Sequence, residues 1–181
     1  MLGDVLKRVD ALVETIQDLL LYARPRELRL TPVRMSELLS QTARLVAEDP
    51  RFQRIEIRVP DSDVRLRLDA DYFREALLNL LINAAQAMNG MGEIRACIED
   101  AGERIHVRIT DNGPGIHPDV REKVFEAFFT TKGRGTGLGL SLVKNVVERH
   151  GGQVAIDCPD CGGTVVTLSL PAGTRVTTRI G

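Results

Sequence analysis

"YFREALLNLLINAAQAM" (residues 72–88) is apolar almost all the way round a helical wheel. Phe73, Leu77, Leu78, Leu80, Leu81, Ile82 and Ala84 leave it no broad polar face, and a helix of that kind is buried. A buried helix requires a second layer to cover it. Yet Glu75, Asn79 and Asn83 recur at steps of four and fall on one stripe. An asparagine amide buried without partners costs about 1–3 kcal/mol. Either the stripe faces water or it lines a polar site. In the second case the amide oxygens are hard neutral ligands, suited to Mg²⁺ shared with phosphate oxygens.

The covering layer is written on both sides of this helix. "RIEIRV" (54–59) and "VRLRL" (64–68) alternate apolar and polar residues with period two, as strands do. "GEIRACIED" (92–100) and "ERIHVRITD" (103–111) form a hairpin across Ala101-Gly102, and "QVAIDC" with "GTVVTLSL" closes the chain as another. Further helices are expected at about 35–46 and 138–150, the latter stopped by Gly151-Gly152, with a short one at 122–128. The fold class is α+β: helices on one face of a mixed, mostly antiparallel sheet.

Ahead of this unit, Val5, Val9, Leu12, Ile16, Leu19 and Ala23 are spaced 4, 3, 4, 3, 4, a heptad seam over residues 2–24. That helix buries its seam against other helices or against its own globular domain. Pro25 ends it, and 25–33 reads as a linker or short extended segment. The expected organisation is therefore helix 1–24, linker 25–33, globular domain 34–174 and tail 175–181.

The formal net charge is −1, so no basic field argues for nucleic acid. Lysines occur only at 7, 123, 132 and 144, and the remaining basic residues are scattered arginines. No apolar run approaches the roughly 20 residues of a membrane span, and no signal-peptide core is present, so the expected location is the cytoplasm. The three cysteines give no disulfide framework. Cys158 and Cys161 form a Cys-x-x-Cys pair in a Pro/Gly-rich turn. A zinc site would want about four ligands, and a plain loop is the reading adopted.

Two glycine-rich stretches carry the remaining signal. "ITDNGPGI" (109–116) ends a strand, and Asp111 precedes a run with strong turn chemistry. A carboxylate there accepts hydrogen bonds and would select a donor such as an exocyclic amine. "GRGTGLGL" (133–140) ends where a helix begins. Helix amino-terminal amides carry partial positive charge and unsatisfied N–H groups, and Lys132 adds a point charge. Polyphosphate is the natural guest. The spacing is neither Walker A nor a Rossmann loop, since no G-K-[ST] ends it and no strand precedes it.

The order of these features is the informative part. An asparagine-bearing helix precedes Asp111-x-Gly113-x-Gly115, then "VFEAFFTTK" (124–132), then Gly135-x-Gly137-Leu138-Gly139-Leu140, then Gly163-Thr164 in a final strand. Together they resemble the catalytic ATP-binding domain of bacterial sensor histidine kinases over roughly residues 35–171. "LLLYARP" (19–25) and "TTK" (130–132) look most like the nitrogen-regulation type. The resemblance implies a two-layer α/β sandwich of the Bergerat type, with ATP held between helices and a flexible lid at 129–136. It implies that Asn83 holds Mg²⁺, Asn79 faces the phosphates and Asp111 receives the adenine amino group. Gly113 and Gly115 would shape the adenine pocket, and Thr164 would support Asp111 through water. Lys132, Gly135, Thr136, Gly137, Leu138, Gly139 and Leu140 would surround the phosphates. Cofactors are then ATP and Mg, and partners a histidine-bearing helix and a response regulator.

The chain departs from the family in two places. Ala127 stands where proline is usual. The histidines are His106, His117 and His150, none in a His-Glu or His-Asp context on an amino-terminal helix. Helix 2–24 resembles only the second helix of the family's dimerisation hairpin, so a homodimer through it is possible, and no catalytic phosphoacceptor is identified. The chain is expected to bind Mg-ATP without labelling itself. Related ATPases of the gyrase, Hsp90 and MutL type place a glutamate base four residues before the metal asparagine. Asn79 occupies that position, so efficient hydrolysis is not expected. The competing readings are a stand-alone protein-serine kinase of anti-sigma type and a docking module with a dead nucleotide site.

Overall fold

A computed structural model of the chain describes residues 27–132, 135–159 and 162–176. The expected helix over 2–24, the dimer reading that rests on it, and Cys161 lie outside these residues.

The elements run β1 (Thr31–Arg34), α1 (Met35–Glu48), β2 (Arg54–Arg58), β3 (Arg65–Leu68), α2 (Ala70–Ala87), β4 (Met91–Asp100), β5 (Arg104–Asp111), α3 (Gly139–Arg149), β6 (Gln153–Asp157) and β7 (Thr164–Pro171). Five strands form one sheet in the order β2-β4-β5-β7-β6. β2 pairs with β4 in parallel, and every other pairing in that sheet is antiparallel. The segment expected as linker or extended chain supplies most of β1, which pairs with β3 in a separate two-stranded sheet. Arg175 and Val176, assigned to the tail, continue along β3: Leu66 bridges Arg175, and the Val176 amide donates to the Arg65 carbonyl at 2.9 Å.

Period two decides which face of the sheet is covered. Ile105, Val107 and Ile109 on β5 are buried, as are Val166, Leu168 and Leu170 on β7. Against this face lie the apolar stripes of α1 (Leu38, Leu39, Val46), α2 (Phe73, Leu77, Leu81) and α3 (Leu142, Val143, Val146). Each Leu, Ile or Phe so buried stabilises the fold by about 1.5–3 kcal/mol relative to exposure. α2 starts cleanly because Asp69 caps it: Oδ1 accepts from the Tyr72 amide at 3.3 Å, while Oδ2 accepts from the Arg29 amide at 2.9 Å.

The same cap meets the far end of α3. The buried His150 accepts the Asp69 amide on Nε2 at 3.0 Å and donates from Nδ1 to the Val146 carbonyl at 2.7 Å. The Nε2 acceptor role fixes the proton on Nδ1. Its ring meets Phe73 edge-on, centroids 5.5 Å apart. Burial holds the imidazole below the usual histidine pKa, so it is neutral here.

The short helix expected at 122–128 does not form. Residues 118–129 instead fold as successive tight turns, with amides of Val120, Lys123, Glu126 and Phe129 donating three residues back. The segment buries Val124 and leaves Phe128 two-thirds exposed, so no continuous apolar face is available to stabilise an α-helix there.

Candidate functional site

Asp111 is the last residue of β5 and lies on the same face as Ile105, Val107 and Ile109. The alternation that builds the core therefore carries a carboxylate into it. Thr164 lies directly opposite as the first residue of β7. Asp111 Oδ1 accepts the Gly113 amide at 2.9 Å and the Thr164 amide at 3.2 Å. Thr164 thus touches Asp111 through its backbone amide. Gly163 ties the turn down by donating its amide to the Gly113 carbonyl at 2.9 Å. Burial pushes the Asp111 carboxyl above the usual range, and the hydrogen bonds from Gly113 and Thr164 oppose that shift.

Ahead of Asp111 opens a cavity of about 970 Å³, at the upper end of the range of small-molecule sites. Its apolar walls include Leu78 and Ile82 of α2, Ile109, Ile156 and Val166 of the sheet, and Val124 of the turn segment. These apolar side chains suit a planar ring, and Asp111 is an acceptor beside them.

The other end is polar. Asn79 and Asn83 line it, and the stripe is half-buried, with one face to the cavity. Asn79 Nδ2 donates to the Glu75 carbonyl at 3.1 Å, which turns Oδ1 toward the start of α3. A Cβ placed on Gly139 would stand 2.7 Å from that Oδ1 and 3.3 Å from Asn83 Nδ2. Glycine at 139 is what lets two helices approach so closely. Gly137 has a different reason: its φ is +69°, a conformation side chains rarely adopt, and its carbonyl accepts the Phe128 amide at 3.0 Å. No side chain caps the amino-terminus of α3, so its first-turn amides are open to an anion.

Lys132 bridges the mouth. Its ammonium donates to Asn83 Oδ1 at 3.0 Å and to Gln86 Oε1 at 2.7 Å, and partial burial lowers its pKa. The Lys132 contact leaves Asn83 Oδ1 on the cavity side of α2, where it can act as an acceptor. Among the described residues no cluster of three His, Cys, Asp or Glu could hold a metal alone. The donor set therefore fits Mg²⁺ carried largely by phosphate oxygens.

Of the residues expected at the site, Asn79, Asn83, Asp111, Gly115, Lys132, Gly135, Thr136, Gly137, Gly139, Leu140 and Thr164 line this one cavity. Gly113 and Leu138 do not: Gly113 acts through its bond to Asp111, and the Leu138 side chain is buried. Sequence reasoning missed Gln86, although it continues the Glu75–Asn79–Asn83 stripe by one further step of three. It also missed the apolar walls, whose positions look like ordinary core. His106 lies within β5 against Ser169, and His117 precedes the tight turns.

Residues 68–174 match the family described as histidine kinase-, DNA gyrase B-, and HSP90-like ATPase. The chain belongs to that family. Its ATP-binding domain is of the kind found in sensor histidine kinases. Sensor histidine kinase ZraS of Salmonella typhimurium is 34% identical over 93% of this chain, which spans 37% of that protein. The mycobacterial sensor histidine kinase MprB superposes with a TM-score of 0.71 at 34% identity, covering 78% of this chain and 97% of that structure. Full-length ShkA, solved in complex with AMPPNP, gives 0.78 at 31% identity, covering 95% of this chain and 37% of that one. Among the described residues no helix is long and apolar enough to cross a membrane.

Proposed function

We propose that this domain holds Mg-ATP in the cavity and donates its γ-phosphate to a histidine on a helix that these 181 residues do not include. The observation that carries this reading is the polarity of the cavity. One carboxylate stands at its apolar end, and asparagine oxygens, a lysine and open helix amides stand at the other. Asp111 accepts the adenine amino group through the oxygen edge that its backbone bonds leave toward the cavity. Leu78, Ile82, Ile109 and Val166 sandwich the ring and exclude water. The α3 amides, Thr136 and Lys132 receive the phosphates. Asn83 holds the Mg²⁺, with Asn79 beside it facing the phosphates. The metal would neutralise charge on the transferring phosphoryl group. The chain's own contribution is positioning of the triphosphate for in-line attack.

Asn79, rather than a glutamate, stands four residues before Asn83, and Glu75, the carboxylate of that stripe which also lines the cavity, lies one helical turn further back. That favours transfer to a protein acceptor over hydrolysis. The "TTK" segment and the 19–25 stretch support a nitrogen-regulation type of kinase, with a response regulator as the final acceptor in the whole protein. Calorimetry with Mg-ADP against Mg-GDP tests the site: the Asp111 carboxylate pairs with the donor at the adenine 6-position, where guanine carries an acceptor carbonyl, so only the adenine nucleotide should bind. Equal affinity for both would overturn the assignment.

A further inference from the structure

The contact between Lys132 and α2 raises a conflict. Asn83 Oδ1 is the oxygen best placed for the metal, and the Lys132 ammonium sits on it at 3.0 Å. A second acceptor, Gln86 Oε1, holds the same ammonium at 2.7 Å from one turn along the helix. The lysine is anchored from its own side too, since its amide donates to Thr130 Oγ1 at 3.1 Å. An ammonium and a divalent cation seated on one amide oxygen repel each other, so a metal binding there drives the lysine off.

We propose that Gln86 is a positioning residue that latches Lys132 onto the metal position of the nucleotide-free site, so that Mg-nucleotide enters by exchange with the ammonium. The proposal rests on the reading that Asn83 takes the metal. In the nucleotide-free chain the ammonium satisfies both amide oxygens and pins the 130–132 turn to α2 across the cavity mouth. When the metal arrives with its nucleotide, Asn83 Oδ1 passes to the metal and the lysine is released toward the phosphates. Gln86 favours only the first arrangement. It therefore sets how much the exchange costs, and with it the affinity, without touching the nucleotide.

Gln86→Leu tests this. Residue 86 is exposed on α2 and leucine is as good a helix former, so the fold is retained. Two readouts are needed. In the absence of nucleotide, limited trypsin digestion followed by mass spectrometry reports how available the Lys132 side chain is. Cleavage after Lys132 should be several-fold faster in Gln86→Leu than in wild type. Calorimetry should show Mg-ADP binding about three- to tenfold tighter in the variant, the range of one partly exposed charge-assisted hydrogen bond. Unchanged cleavage, or affinity that is equal or weaker, overturns the latch. If the wild type binds no Mg-ADP, the nucleotide reading fails instead, and the digestion still reports on the latch by itself.

Discussion

Replacing Asp111 by asparagine isolates the step on which nucleotide recognition turns. The substitution keeps size and shape nearly constant. Asp111 Oδ1 accepts from the Gly113 and Thr164 amides, and an asparagine oxygen can keep both bonds. What changes is the edge facing the cavity, where an anionic acceptor becomes an N–H donor opposite the adenine amino group. A charge-assisted hydrogen bond is lost and a donor meets a donor, a cost of about 1–3 kcal/mol. That corresponds to a Kd for Mg-ADP weaker by about 5- to 150-fold. The folded state should not suffer. Burial raises the pKa of Asp111, so its charge disfavours folding at neutral pH and the uncharged amide relieves that cost. The sign can be checked by acidification. A raised carboxyl favours the folded state below its unfolded value of 3.8, and that advantage fades as pH rises through the folded value. The wild type should therefore gain stability on the variant as pH falls, while its nucleotide affinity drops as the carboxylate protonates. Calorimetry and thermal melts on both proteins read these effects. Unaltered affinity in Asp111→Asn, or lost affinity accompanied by a lower melting temperature without ligand, would refute the reasoning.

Other consequences are open to test. Gly139→Ala places a methyl group against Asn79 Oδ1 and Asn83 Nδ2. Relieving that overlap must shift Asn79 or the start of α3, a cost of about 1–3 kcal/mol, so the melting temperature should fall and Mg-ADP affinity should weaken about tenfold. Equal affinity would show that the helix approach is not part of the site. His150 is held neutral, its pKa lowered from 6.5. Its contribution to stability should be whole above pH 6.5 and lost as pH falls from there through the folded value. Denaturant titrations across that window should show the loss in wild type and a smaller one in His150→Gln. The chain incubated with γ-labelled Mg-ATP should acquire no acid-labile phosphate: His150 is buried, His106 is bonded to Ser169 within the sheet, and the exposed His117 caps the Pro118–Val120 turn rather than standing on a helix beside an acidic residue. Labelled histidine on this chain would contradict that.

Much of this could be read from residue order. Period two in "ERIHVRITD" specifies both a strand and the inward face of Asp111, because the carboxylate continues the row of Ile105, Val107 and Ile109. The stripe through Asn79 and Asn83 is likewise a direct consequence of helical spacing. What periodicity could not supply was partner choice. "RIEIRV" and "VRLRL" read alike, yet one joins the main sheet in parallel and the other pairs with residues 31–34. Strand pairing is decided by long-range packing and not by local pattern. The failed helix at 122–128 has a similar cause, since Val124 alone of its apolar residues is buried, packed into the cavity wall from a run of turns. Gln86 escaped notice because its role depends on where Lys132 lands, a contact across 46 residues of chain.

The most direct measurement is a crystal structure of this chain with Mg-AMPPNP. The adenine amino group should lie within hydrogen-bonding distance of Asp111, the metal should sit on Asn83, and Lys132 should have left that oxygen. Nucleotide bound elsewhere, or a cavity closed by the protein's own side chains, would contradict the account.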